Sequence, residues 1–69
     1  MAVEAIDVIQ LMDGWSDVRV DKYEFDAGTY VTAWTGEAGC MSDLPDDLKN
    51  LEVEQIHIYG NTLVLEVDG

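Results

Sequence analysis

The sequence predicts a small α+β domain. Its expected form is an N-terminal helix packed on a small antiparallel sheet of about four strands, made of two hairpins with a short helix between them. Three observations predict it. The first dozen residues carry apolar side chains at helical spacing. Two later stretches alternate apolar and polar residues around glycine-containing turns. The segment between them opens with serine, proline and aspartates, which suit a helix start. The chain has 69 residues, enough for one domain spanning 1–69 and too few for two.

The elements follow in order. In the N-terminal segment Ala2, Ala5, Ile6, Val8, Ile9 and Met12 share one arc, with Glu4, Asp7 and Gln10 opposite and Val3 and Leu11 intruding. Gly14 follows as a stop. Four β-branched residues and the alternation Val3, Ala5, Ile9, Leu11 argue for a strand instead; the helix is preferred. From Asp17 to Thr35 the pattern is that of a hairpin closed by Asp26-Ala27-Gly28. If Phe25 pairs with Thr29, one face holds Tyr23, Phe25, Val31 and Ala33, and the other Val18, Val20, Tyr30 and Trp34. A four-residue loop would shift that pairing by one. Residues 36–41 read as a flexible glycine-containing loop. Ser42 to Lys49 reads as a short helix capped by Ser42 or Asp43, with Asp46 and Asp47 at the positive end of its dipole. Glu52–Tyr59 and Thr62–Val67 form the second hairpin around Gly60-Asn61. Pairing Tyr59 with Thr62 separates Ile56, Ile58, Leu63 and Leu65 from Gln55, His57, Tyr59, Val64 and Glu66. One helix covers one face of such a sheet, so some apolar surface is expected to stay exposed, with Trp15, Tyr30 and Trp34 the leading candidates.

Charge bounds the function. Fifteen Asp and Glu stand against three Lys and Arg, a net of 3 − 15 = −12. Duplex DNA carries one charge per roughly 1.7 Å, so twelve charges match about 20 Å of duplex. Direct binding to nucleic acid or to an anionic membrane is disfavoured, because only Arg19, Lys22 and Lys49 can meet phosphate. A basic partner is favoured. Self-repulsion must lower stability, and solubility or a salt-loving host are the competing explanations of the acidity. The apolar fraction of 48% is that of a globular chain, not of a disordered one. No run reaches eighteen apolar residues and no basic region precedes a hydrophobic stretch. Neither a membrane span nor a secretory signal is therefore expected, and the expected setting is cytoplasmic.

Motifs for chemistry are sparse. Cys40 is the single cysteine, so no internal disulfide and no multi-cysteine zinc site can form. Its acidic neighbours disfavour the thiolate. His57 is the only histidine, placed mid-strand beside Tyr59 without a nucleophile nearby in sequence. Asp43, Asp46 and Asp47 could gather round a hard cation, but no D-x-[DN]-x-[DN]-G loop is present. No P-loop, G-x-G-x-x-G or C-x-x-C occurs. No enzyme activity, metal or cofactor is expected. The stretch Val53-x-x-Ile56-x-Ile58-x-x-Asn61-x-Leu63, preceded by Leu44-Pro45-x-x-Leu48, resembles one leucine-rich repeat over about 20 residues. Such repeats need three or more neighbours to bury a core. No second copy follows, so the hairpin reading is kept.

These features lead to a non-catalytic interaction protein that presents carboxylates to a basic surface. In size, acidity and lack of catalytic residues the chain resembles the nucleic-acid-mimicking inhibitors that phages use against restriction or CRISPR effectors. That resemblance implies a nucleic-acid-binding protein as partner and, for a phage-encoded chain, the host-cell cytoplasm. The expected contact residues are Asp17, Asp21, Asp43, Asp46, Asp47, Glu66 and Asp68, with Tyr30, Trp34 and Tyr59 as apolar anchors. The alternative is a structural or regulatory domain that homodimerises or docks through an exposed apolar sheet face.

Overall fold

The computed structural model describes residues 3–68; Ala2, assigned to the helical arc, lies outside them. Helix α1 (Ala5–Ile9) is followed by β1 (Asp17–Glu24) and β2 (Thr29–Glu37). A 3₁₀ helix (Ala38–Asp43) and α2 (Asp46–Lys49) lead to β3 (Glu52–Tyr59) and β4 (Thr62–Asp68). The α+β class and the two hairpins are as expected. The sheet itself is mixed, in the order β2-β1-β4-β3. Both hairpins are antiparallel, while the inner pair β1–β4 is parallel, with Val18 opposite Leu63 and Val20 opposite Leu65. Residues 38–51 explain this. They are long enough to cross the sheet from one edge strand to the other, and a crossover of that length places β3 parallel to β2.

The N-terminal segment realises both of its periodicities. Val3 and Glu4 are extended: the Val3 carbonyl accepts from the Val53 N–H at 2.7 Å, and Glu4 bridges Glu52. The helix then starts at Ala5, with the Glu4 N–H donating to the Asp7 carboxylate at 3.3 Å. It is shorter than predicted. After Ile9 the chain tightens into i→i+3 bonds, Leu11 to Val8 and Met12 to Ile9, both 3.1 Å, a usual way for a helix to end. The apolar arc still points inward: Ala5 and Ile9 are buried, and Val8 and Met12 pack against them.

The first hairpin departs from the expected register. Its loop has four residues, Phe25 to Gly28, and Glu24 pairs with Thr29. Gly28 closes it with a φ of +69° and an N–H bond to the Glu24 carbonyl, a conformation that favours glycine. Tyr23 thus pairs with Tyr30, which leaves the face of Val18 and Val20. Further along, Val20 pairs with Trp34 but Asp21 pairs with Thr32, leaving Ala33 as a bulge. The bulge restores the parity, so Trp34 returns to the side of Val18 and Val20. The second hairpin has the expected pairing, Tyr59 with Thr62, and Gly60 takes a φ of +60°.

The expected loop at 36–41 is largely 3₁₀ helix, and neither Ser42 nor Asp43 caps α2. Pro45 holds the N-cap position without a side-chain hydrogen bond, while Asp46 and Asp47 do occupy the first turn. Ala38, Leu44 and Leu48 from this crossover join Ala5 and Ile9 over Val18, Val20, Leu65 and Val67. All the helical segments therefore contribute to a core on one face of the sheet. The other face is uncovered.

Candidate functional site

Two-residue alternation assigns the uncovered face. From β1 it carries Asp17, Arg19, Asp21 and Tyr23; from β4, Thr62, Val64, Glu66 and Asp68. From β3 come Glu52, Gln55, His57 and Tyr59, and from β2 come Tyr30, Thr32, Thr35 and Glu37. Of the ten predicted contact residues, the fold brings six onto this face: Asp17, Asp21, Tyr30, Tyr59, Glu66 and Asp68. The other four lie elsewhere. Trp34 is half-buried against the core on the helix side, Asp43 ends the 3₁₀ helix, and Asp46 and Asp47 begin α2.

Acids face acids on this surface. Asp17 pairs directly with Glu37, Glu52 with Asp68, and Asp21 with Glu66 across the parallel strands. Like charges placed directly opposite destabilise a sheet. Two of these carboxylates have a side-chain partner within the sheet. Asp21 is buried and accepts two hydrogen bonds from Arg19, Nε to Oδ1 and Nη2 to Oδ2, each at 3.1 Å. Glu66 lies 3.0 Å from His57 Nε2. Asp17, Glu37, Glu52 and Asp68 have no basic partner among the described residues. The remaining ion pair, Lys49 with Asp46 at 3.2 Å, sits on α2.

Aromatic rings lie among the carboxylates. The Tyr59 ring stacks on His57 with centroids 5.9 Å apart, and the Arg19 guanidinium lies 5.8 Å from its centroid. Tyr23 meets Tyr30 edge to face at 5.3 Å. The Tyr30 hydroxyl is pushed above its ordinary value of 10.0, first by desolvation and then by the charges of Glu66, Glu54 and Asp68. The negative potential of β3 and β4 is thus felt at β2, across the width of the sheet.

At the end of the sheet where β1 and β4 begin and β2 finishes lies an open cleft of about 660 Å³. Asp17, Arg19 and Tyr59 border it from the open face. Trp34, Glu37, Cys40 and Asp43 complete it. Gly36 makes the indole's position possible, because a Cβ there would fall 2.7 Å from the Trp34 ring.

Sequence reasoning left Arg19, Glu37 and Glu52 out of this surface, and it placed His57 on one face with Tyr59 and Glu66 without counting it among the contact residues. The Arg19-x-Asp21 spacing was a usable signal, since residues two apart on a strand share a face. The opposition of Glu52 and Asp68 depends on the bulge at Glu54, which no residue type announces. His57 is engaged with Glu66 and Tyr59 and faces no serine or cysteine in these contacts. No group of three or more metal-ligating side chains is gathered among the described residues, and no helix among them is long and apolar enough to cross a membrane. Comparisons with family models, with curated proteins and with solved structures find no match.

Proposed function

We propose that this chain is a non-catalytic protein–protein interaction module, and most concretely an acidic mimic of DNA or RNA that occupies the basic surface of a nucleic-acid-binding protein. The observation that carries the reading is the set of acid-to-acid pairs on the uncovered face, Asp17 with Glu37 and Glu52 with Asp68. A fold selected for stability alone alternates signs at such positions. Adjacent strands lie about 4.8 Å apart, and same-face positions along a strand about 6.6 Å. That grid is fine enough to meet a row of lysine and arginine side chains. The charge density agrees with the reading: twelve net charges, matching about 20 Å of duplex, sit on a molecule of 33 × 26 × 23 Å. Tyr30, Tyr59 and Tyr23 supply contact area that exposed ion pairs lack. A cytoplasmic setting, that of the host cell for a phage-borne chain, goes with an inhibitor of a restriction or CRISPR effector.

Competition tests it. A basic protein recovered with the immobilised chain should lose its affinity for DNA or RNA at least tenfold when the chain is added in excess. The association should weaken steeply between about 0.05 and 0.2 M salt. A partner that keeps its nucleic acid, or a salt-insensitive association with a neutral or acidic protein, would overturn the reading.

A second reading has its own observation. Ile58 is 74% and Ile56 51% exposed on β3, on the helix side of the sheet. An apolar strip of this kind suits docking on a larger assembly or on a second copy. Sedimentation tests it: association lost on Ile58→Asp and kept in high salt would favour this reading over the mimic.

A further inference from the structure

We propose that the cleft at the end of the sheet is a socket for one arginine side chain of the basic partner. The inference rests on the reading above and narrows it from a charged face to a defined anchor.

Three features of the cleft select a cation. Its border carries three carboxylates, Asp17, Glu37 and Asp43, against one guanidinium, that of Arg19. The charge of Arg19 is already matched by Asp21, which accepts from its Nε and Nη2, so the three carboxylates are left in excess. Asp17 and Glu37 are direct cross-strand partners at the mouth, a repulsion that an incoming cation would relieve. The volume of about 660 Å³ is that of a site for a small ligand rather than a crevice for water.

Two aromatic rings select arginine among cations. The Trp34 indole lies along β2 over Gly36 on the helix side, and Tyr59, 59% exposed, borders the cleft from the open face. A planar guanidinium stacks on such rings and offers paired donors to carboxylates, whereas an ammonium acts as a strongly hydrated point charge. The molecule already contains this arrangement once, with the Arg19 guanidinium beside the Tyr59 ring and bidentate on Asp21. The socket repeats that chemistry for a guanidinium from outside.

Cys40 provides the readout, being the single cysteine, exposed, and on the border of the cleft. N-acetyl-argininamide should slow alkylation of Cys40 and shift the Trp34 indole resonance, both saturating in the low-millimolar range. The neutral isostere N-acetyl-citrullinamide should act at least tenfold more weakly. Asp17→Asn with Glu37→Gln should weaken the arginine probe at least fivefold. Asp46→Asn with Asp47→Asn, the same change of charge placed on α2, should leave it within twofold. The first double variant removes a like-charge pair and should fold at least as well as the parent chain. Equal protection by the citrulline probe would overturn the socket, as would an equal loss in the α2 variant. So would protection by inorganic phosphate, which would make Arg19 an anion site instead. A chain that displaces DNA from its partner equally well with and without Asp17 and Glu37 removes the socket and leaves the mimic standing. A cleft that binds arginine in a chain that displaces no nucleic acid does the reverse.

Discussion

Replacing Arg19 with methionine separates what this face does for the fold from what it does for a partner. Asp21 is 6% exposed and receives both of its side-chain hydrogen bonds from Arg19, whose side chain is 37% exposed. Methionine keeps much of the aliphatic stem and removes the guanidinium, leaving a buried carboxylate unpaired. Breaking a fully buried pair costs about 3–5 kcal/mol, and an exposed pair contributes about 0–1 kcal/mol. With one partner buried and the other over a third exposed, the loss should be about 2 kcal/mol, in line with hydrogen bonds to charged groups. For a domain of this size that is a fall in Tm of roughly 8–16 °C. Urea denaturation of Arg19→Met, Asp21→Asn and the double variant closes a cycle whose coupling should be about 1–2 kcal/mol. Binding should move the other way. The net charge goes from −12 to −12 − 1 = −13, so association with a basic partner should quicken at low salt. An Arg19→Met variant within about 0.5 kcal/mol of the parent, or a cycle without coupling, would refute the assignment of Arg19 as the internal counter-ion of this sheet.

The remaining predictions concern other parts of the molecule. Gly36→Ala should cost about 1–3 kcal/mol by driving a Cβ into the Trp34 ring, and near-UV circular dichroism should report the displaced indole. Leu65→Ala, at a position with no exposure between the parallel strands and the helices, should cost about 2–5 kcal/mol; thermal unfolding measures it. Tyr30 gives a pH dependence. Its folded pKa is raised above the unfolded value of 10.0, so its contribution is complete below pH 10 and is lost as the pH climbs through the folded pKa. Tyr30→Phe should remove that part of the alkaline destabilisation, read by unfolding at a series of pH values.

How far the fold was legible can be read from particular residues. The second hairpin was legible from its turn as far as Gln55, because Gly60-Asn61 fixes the turn and the turn fixes the register; beyond it a bulge at Glu54 shifts the pairing by one. The first was not. Phe25 reads as a strand residue by type, yet it sits 80% exposed in the loop, and the loop takes four residues instead of three. Two departures then cancel: the longer loop turns Tyr30 to the open face and the bulge at Ala33 returns Trp34 to the core side. Trp34 therefore lies on the side of Val18 and Val20, as expected, because beyond the bulge the pairing returns to the expected register. Strand order was illegible for a different reason. Alternation reports which face a residue occupies and carries nothing about which strand lies beside it, so the parallel β1–β4 pair had no local signal. Four of the predicted contact residues, Asp17, Asp21, Glu66 and Asp68, share a face because strand alternation preserves parity along β1 and β4; Tyr59 joins them through its pairing with Thr62, and Tyr30 through the longer loop. The aspartates at 43–47 belong to a different segment, and their grouping in sequence gave no guide to which side of the sheet they occupy.

The crossover that makes the sheet mixed also decides what the open face can accept. Residues 38–51 must span the sheet from β2 to β3, and in doing so they lie with α1 on one side. No segment among the described residues is left to cover the other side, so Val64, 1% exposed, is shielded there by the side chains of its own face. A second copy set face to face on that surface would bring the same acidic face, whose basic side chains among the described residues, Arg19 and His57, are already engaged with Asp21 and Glu66. Asp17, Glu37, Glu52 and Asp68 would meet their own kind at short range, where screening is least effective. Covering this face therefore favours a cationic surface over self-association, whereas the apolar strip of Ile56 and Ile58 on the opposite side carries no such restriction. The two proposed readings thus use different surfaces. Ile58→Asp on one and Asp17→Asn with Glu37→Gln on the other should disturb them independently.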